Sequence, residues 1–261
     1  MAAPSGPGRR PDPSLSVAKY RRRAAHYDLE LLPFEPIRAE AIAMLQVRPC
    51  GTVLDVGCGT GRVTEALTAL VPRGRVLALD ASADMVELAR ARLGDRAVVW
   101  CQDVLELALD EPVDAVVSTA TLHWVGDHER LWARLARALR PGGRLEVQCG
   151  GEGNIARVRE AIDAAARAMA PELDGWSPWT FAGPAETHAR LRAAGFAEAR
   201  CWLTEKPTDP DDLGAFVRTS ILPAHLARVP EDRREAFAEA VLAGVRAPLD
   251  YVRLNVSAVR G

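Results

Sequence analysis

Three glycines spaced two apart, Gly57, Gly59 and Gly61, follow a short apolar run and precede residues with helical periodicity. Glycines so placed let the backbone turn tightly and approach a ligand closely, and the N–H groups opening the next helix favour an anionic group. A dinucleotide-type GxGxxG turn needs glycine or alanine at position 62, where Arg62 stands, so the pattern reads as GxGxG. Asp55, just before the loop, suits a ligand bearing a positive charge. Asp80 ends the next apolar run about 20 residues on, where a carboxylate accepts hydrogen bonds from both hydroxyls of a ribose. Asp103 follows a third run and sets an acceptor where the exocyclic amine of adenine would donate. A cationic nucleoside is the ligand these spacings describe. The bland alternatives are ordinary turns for the glycines and helix amino caps for Asp80 and Asp103, and capping by Asp80 can coexist with ligand contact.

The elements that must position these residues alternate. Helical spacing begins at about 15 and again over 35–46, before a first strand at 52–56 and a helix at 60–71. Strands at 75–79, 97–101, 113–118 and 144–149 are separated by helices at 83–93 and 127–139, the latter stopped by Pro141-Gly142-Gly143. Continuously apolar strands separated by helices imply a parallel sheet covered on both faces, an α/β doubly wound three-layer sandwich. Beyond Gly150 come helices at about 154–170, 184–194, 209–219 and 231–246, with strands at about 198–205 and 251–259. The organisation expected is a flexible Pro/Gly/Ser-rich tail over 1–14 and one domain over 15–261. Helical lid insertions are expected at about 15–47, 151–195 and 207–247.

The chain has 261 residues, a formal net charge of -2 and only two lysines, Lys19 and Lys206. That balance argues against nucleic acid or an anionic membrane as partner and for a small molecule. Five widely spaced cysteines without a CxxC pair suit neither a disulfide framework nor a metal site, and point to a reducing cytoplasm. No apolar run reaches 18 residues and the start lacks an apolar leader core, so neither export nor membrane spanning is expected. No oligomeric state follows from the sequence.

Taken in order, Val53-Leu54-Asp55-Val56-Gly57-Cys58-Gly59-Thr60-Gly61, Leu79-Asp80-Ala81-Ser82 with Met85, Gln102-Asp103-Val104, Val113-Asp114-Ala115-Val116-Val117-Ser118 and Leu139-Arg140-Pro141-Gly142-Gly143 resemble the motifs of class I S-adenosylmethionine-dependent methyltransferases. Leu122-His123-Trp124-Val125, Trp179-Thr180-Phe181, Ala194-Gly195-Phe196 and the closing strand are similar to the trans-aconitate and malonyl-thioester carboxyl methyltransferases within that superfamily. The resemblance implies a Rossmann-like sheet of seven strands with a reversed last hairpin. It implies S-adenosylmethionine as cofactor and S-adenosylhomocysteine as product. By the same resemblance Gly57, Cys58, Gly59 and Gly61 hold the methionine tail, Asp80 the ribose, Ala81 and Met85 the adenosine face, and Asp103 with Val104 the adenine. Ser118, Thr119 and Ala120 would lie beside the methyl donor. Tyr20 and Tyr27 would close over the cofactor, although packing also explains their shared helix face.

Methyl transfer from a sulfonium is an in-line displacement, so the protein aligns, excludes water and balances charge. A carboxylate acceptor is already ionised and calls for a clamp, for which Arg218 and His225 are candidates; a phenol, alcohol or carbon acid calls for a base. His123 is the candidate base, or else a ring packed beside Trp124 that shapes the pocket. Trp124, Trp176, Trp179 and Phe181 would wall the acceptor pocket or pin the lid. The expected activity is methylation of a small molecule, foremost at a carboxylate oxygen. The alternatives are natural-product O-, N- or C-methylation with His123 as base, and a non-methylating binder or cyclase on the same fold.

Overall fold

The computed structural model describes Ile42 and residues 44–261. The expected tail, most of the first lid segment, and Tyr20 and Tyr27 lie outside the described residues. Strands β1 (Thr52–Val56), β2 (Arg75–Asp80), β3 (Val98–Cys101), β4 (Val113–Thr119), β5 (Leu139–Gly150), β6 (Phe196–Glu205) and β7 (Val252–Arg260) form one sheet in the order β3-β2-β1-β4-β5-β7-β6. The first five run parallel, and β7 lies antiparallel to both β5 and β6, as the reversed hairpin requires.

The apolar strands have no solvent face because helices cover both sides. Neighbouring Val116 and Val117 point to opposite faces and both are fully buried. Helix α1 (Arg62–Leu70) sets Val63 and Leu67 against Val53 and Val117, and α2 (Ala83–Leu93) sets Val86 and Ala89 against Ala78 and Val99. On the other face α3 (His128–Ala138) brings Leu131, Trp132 and Leu135 onto Leu54, Val116 and Leu145. The helix starts follow from side-chain caps: Ser82 accepts from the Met85 N–H at 3.4 Å and Asp127 from the Arg130 N–H at 2.9 Å.

Beyond β5 come α4 (Ala156–Met169) and α5 (Pro184–Ala193), then α6 (Leu213–Phe216), α7 (Pro223–Leu226) and α8 (Arg234–Gly244). Helix α5 returns to the sheet through Leu191. The other four helices build a separate apolar core around Ile162, Phe216, Phe237 and Val241. Among the described residues no helix is long and apolar enough to cross a membrane, and no cluster of His, Cys, Asp and Glu could hold a metal ion.

Two expected boundaries need correction. Pro141-Gly142-Gly143 does not precede a strand but lies inside β5: Leu139 already pairs with Val113, and the register then shifts before Arg144 meets Ala115. Gly142, at φ 74°, absorbs the irregularity. The helix expected at 209–219 is only four residues long and loosens into a π turn over Val217–Ile221. Pro223 disfavours a regular helical turn ahead of it, and the Leu222 N–H bonds the Val217 carbonyl instead.

Candidate cofactor and acceptor site

Strands β1 and β4 are neighbours from which the chain winds outward in opposite directions, so a crevice opens beyond their carboxyl ends. The glycine loop leaves β1 there. The Gly57 and Cys58 N–H groups both donate to the Leu79 carbonyl, at 2.8 and 3.0 Å, and the Gly61 N–H donates to the Cys58 carbonyl. These inward bonds make the loop a rigid rim rather than the phosphate cradle that a row of outward N–H groups would form. All three glycines have positive φ, but their surroundings differ. A Cβ at Gly57 would lie 2.1 Å from the Thr121 side chain and one at Gly61 would crowd Ala89, whereas one at Gly59 meets nothing within 4 Å among the described residues. Cys58 is buried, and burial followed by the charges of Asp55 and Asp80 pushes its thiol far up, so it stays protonated.

Asp80 stands at the end of β2 with both oxygens held by backbone: one accepts from the Gly59 N–H and the other from the Ser82 N–H, each at 2.9 Å. Burial raises its pKa and these two N–H groups pull it back down. A carboxylate has about four lone-pair sites, so ribose hydroxyls can be accepted as well. Asp103 caps the short 3₁₀ turn Val104–Glu106 through the Leu105 N–H at 2.9 Å, which is the capping alternative realised. Met85 and Val104 are buried, and Ala81 is exposed at the β2 exit.

Two other sequence candidates face the scaffold. Asp55 is 1% exposed and accepts the Thr64 hydroxyl at 2.6 Å, tying β1 to α1. Ser118 is fully buried, and its hydroxyl donates to the Val56 carbonyl at 2.7 Å across the β1–β4 seam. Thr119 and Ala120 are partly exposed at the β4 exit, with Ala120 in the left-handed region at φ 56° and its N–H on the Gln148 carbonyl at 2.7 Å. A non-glycine residue held there costs roughly 1–3 kcal/mol, the kind of strain that collects at functional sites. Thr121, which sequence reasoning passed over, donates to the Gly57 and Thr119 carbonyls and so locks the glycine loop to the end of β4.

His123 is 8% exposed in the turn that follows. The Gly150 N–H donates to its Nδ1 at 3.2 Å. A backbone N–H can only donate, so Nδ1 is an acceptor and the proton of the neutral ring sits on Nε2. Burial, reinforced by Arg253 and His128, holds the pKa well below the ordinary histidine value. In this arrangement Nδ1 is occupied and Nε2 carries the proton, which suits the alternative of a ring that shapes the pocket. The His123 carbonyl accepts the Thr180 N–H at 2.7 Å, strapping the segment around Trp179 to the β4 exit. His123 lies 5.5 Å from Trp124 and 5.7 Å from Phe181, Trp124 lies 5.8 Å from Trp179, and Trp179 stacks on Phe181 at 5.6 Å and 10°. Trp124 is 46% exposed. Trp176 sits farther along, 5.0 Å from His225 and under the Arg228 guanidinium at 4.1 Å.

Both candidate clamps lie in the helical layer. Arg218 pairs with Glu235 at 2.8 Å and with Glu239, both on α8, so its charge is compensated within the helical layer. His225 is buried between Trp176 and Trp179, and burial followed by Arg228 brings its pKa down to about 4. Its Nδ1 has no partner among the described residues and borders a cavity of about 30 Å³, room for a single water. The buried cation near this site is one the sequence did not flag: Arg253, 4% exposed on β7 directly opposite Gly150.

The methyltransferase-domain family matches residues 54–147, the segment that builds the loop, Asp80, Asp103 and the β4 exit. A trans-aconitate 2-methyltransferase of Azoarcus sp. is 33% identical over 237 residues, covering 84% of this chain and 89% of that one. A malonyl-(acyl-carrier protein) O-methyltransferase of Anoxybacillus flavithermus is 33% identical over 135 residues, and there the match spans about half of either chain, 51% of this one and 52% of the relative. The solved (4+2)-cyclase SpnF shares the fold at a TM-score of 0.59 and 20% identity, over 86% of this chain and 80% of that one. Fold alone would thus leave methyl transfer and cyclisation side by side, whereas the sequence relationship over nearly the whole length separates them. The chain belongs to the class I S-adenosylmethionine-dependent methyltransferases and is an enzyme that methylates a small-molecule acceptor.

Proposed function

We propose that the acceptor atom is a carboxylate oxygen. The observation that carries this reading is the Gly150 N–H on Nδ1 of His123, which leaves the ring as a donor through Nε2–H and suits an acceptor that arrives ionised. The relatives point the same way, since trans-aconitate and a malonyl group both carry free carboxylates. S-adenosylmethionine supplies an electrophilic methyl group on a sulfonium. The chain's own residues then have three tasks. Gly57, Cys58, Gly59 and Gly61 border the methionine tail, Asp80 accepts from the ribose, Ala81 and Met85 face the adenosine, and Asp103 with Val104 meets the adenine. Thr119 and Ala120 edge the reacting centre, with Asp55, Ser118 and Thr121 holding that edge in place. His123 orients the acceptor by donation, and Trp124 and Trp179 wall it from water.

The helices of 151–195 and 207–247, apart from the sheet-packed α5, serve as a lid over this crevice; their separate apolar core and the Thr180–His123 strap support that role. We place the enzyme in the cytoplasm, consistent with five free cysteines.

The test is a rate comparison between carboxylic acids and phenols of similar size, with methyl products identified by mass spectrometry. Carboxylic acids are expected to be esterified, and His123→Ala to lose about tenfold in kcat/KM with the pH profile between 6 and 9 unchanged. Preference for phenols, with a basic limb that disappears in the variant, would overturn the reading.

A further inference from the structure

Helices α3 and α5 each follow one half of the aromatic wall. Helix α3 begins just after the turn that carries His123 and Trp124, and α5 just after the segment that carries Trp179 and Phe181. The two helices meet on one face of the sheet, where Leu191 shares a core with Leu131 and Trp132 and the Arg190 guanidinium reaches across to Glu129 at 3.5 Å. Four buried side-chain atoms at this contact have no hydrogen-bond partner among the described residues: His128 Nδ1 and Trp132 Nε1 on α3, and Thr187 Oγ1 and Arg190 Nη1 on α5. A buried polar atom left unpaired is costly, and four at one helix contact call for a common partner.

Their positions and their chemistry say what that partner is. His128 and Trp132 are one turn apart and set edge to face, with ring centroids 6.0 Å apart. Thr187 and Arg190 lie three residues apart on one side of α5; Thr187 is fully buried, and the Arg190 charge is felt at His128. The other groups of these side chains are engaged. His128 Nε2 meets the Leu122 carbonyl at 3.2 Å, and Arg190 holds Glu186 through Nη2 at 2.8 Å and Glu129 through Nε. A carbonyl only accepts, so the His128 proton sits on Nε2 and Nδ1 is a bare acceptor; burial lowers the pKa of this ring and favours its neutral form. The contact thus presents two N–H donors, from Trp132 and Arg190, one acceptor on His128, and the Thr187 hydroxyl, which can act either way. An anion would meet the His128 lone pair, and a metal ion would meet the two N–H groups. Water accepts twice and donates twice, which complements the set.

We infer that one internal water molecule is a fixed part of this fold, bound between α3 and α5, where it accepts from Trp132 Nε1 and Arg190 Nη1 and donates to His128 Nδ1 and Thr187 Oγ1. It pins together the two helices from which the halves of the aromatic wall extend.

A crystal structure of the full chain, at a resolution that shows ordered solvent, is expected to hold one water about 2.7–3.2 Å from at least three of the four atoms. Thr187→Val keeps the shape of the side chain and removes its hydroxyl, so its effect on melting has a diagnostic sign. A hydroxyl bonded to buried water stabilises the fold, and Tm should fall by roughly 2–6 °C. A hydroxyl buried dry opposes folding, and the valine would then melt at or above the wild-type temperature. That melting result, or a crystal in which no water touches three of these atoms, overturns the inference. Should Thr187→Val fail to fold, the wild-type crystal still decides.

Discussion

Single residues in this site can be separated by what their substitution would meet. Alanine at Gly57 combines a left-handed backbone with a Cβ 2.1 Å from Thr121, so Gly57→Ala should lose roughly 2–4 kcal/mol of stability and fall well down in Tm. Alanine at Gly59 bears only the backbone cost, about 1–2 kcal/mol, because among the described residues its Cβ meets nothing within 4 Å. Gly59→Ala should therefore keep most of its Tm yet lose more affinity for S-adenosylhomocysteine than that cost explains, a contrast that paired melting and calorimetry would check. The glycine spacing and the acid at the end of β2 were legible because each is local: a turn and a strand end are written in consecutive residues. The two arginines were not. Arg218 looks like a clamp until α8 folds back and brings Glu235 and Glu239, 17 and 21 residues on, to its guanidinium. Arg253 gains its meaning from the β5–β7 register, which places it opposite a residue 103 positions earlier, and no window of sequence displays that.

Elements were readable in proportion to how far their own residues decide them. Strand β1 and helix α2 fall where periodicity and caps put them, whereas the segment after Asp212 departs because Pro223 and the neighbouring apolar core override a helical pattern. The same helical layer has a pH dependence of its own. His225 is neutral and buried in the fold, with a pKa of about 4 against the usual 6.5, so its contribution is complete above pH 6.5 and is lost as pH falls toward 4. Backbone hydrogen exchange, corrected for its intrinsic pH dependence, should show residues 176–181 and 223–229 losing protection through that window before the β1–β4 seam does. His225→Phe keeps a ring between Trp176 and Trp179 without a titrating nitrogen and should flatten the response. An unchanged response in that variant would move its origin elsewhere.

Across the whole molecule the sheet carries a buried acid with the opposite sign. Glu146 on β5 is 2% exposed and accepts the Ser257 hydroxyl at 2.7 Å, and burial pushes its pKa up to about 7 from 4.5. Stability from its neutral form is fully present below pH 4.5 and is lost as pH rises to about 7 and past it. Glu146→Gln preserves the neutral shape, so at pH 8 its Tm should exceed wild type by about 2–4 °C, with the difference gone near pH 5. Equal melting at both values would place the ionised carboxylate in contact with solvent. The path of the chain has a wider implication. The Gly151 N–H bonds the Val252 carbonyl at 3.0 Å and the Ile155 N–H bonds the Asp250 carbonyl at 2.9 Å, so the stretch between leaves β5 and rejoins at β7 through adjoining points, supplying edge strand β6 on the way. The parts proposed to grip the donor come from the stretch before that gateway, and most of the aromatic wall from the stretch inside it. A lineage could exchange the enclosed stretch between cousins and acquire a new acceptor while inheriting its donor grip intact.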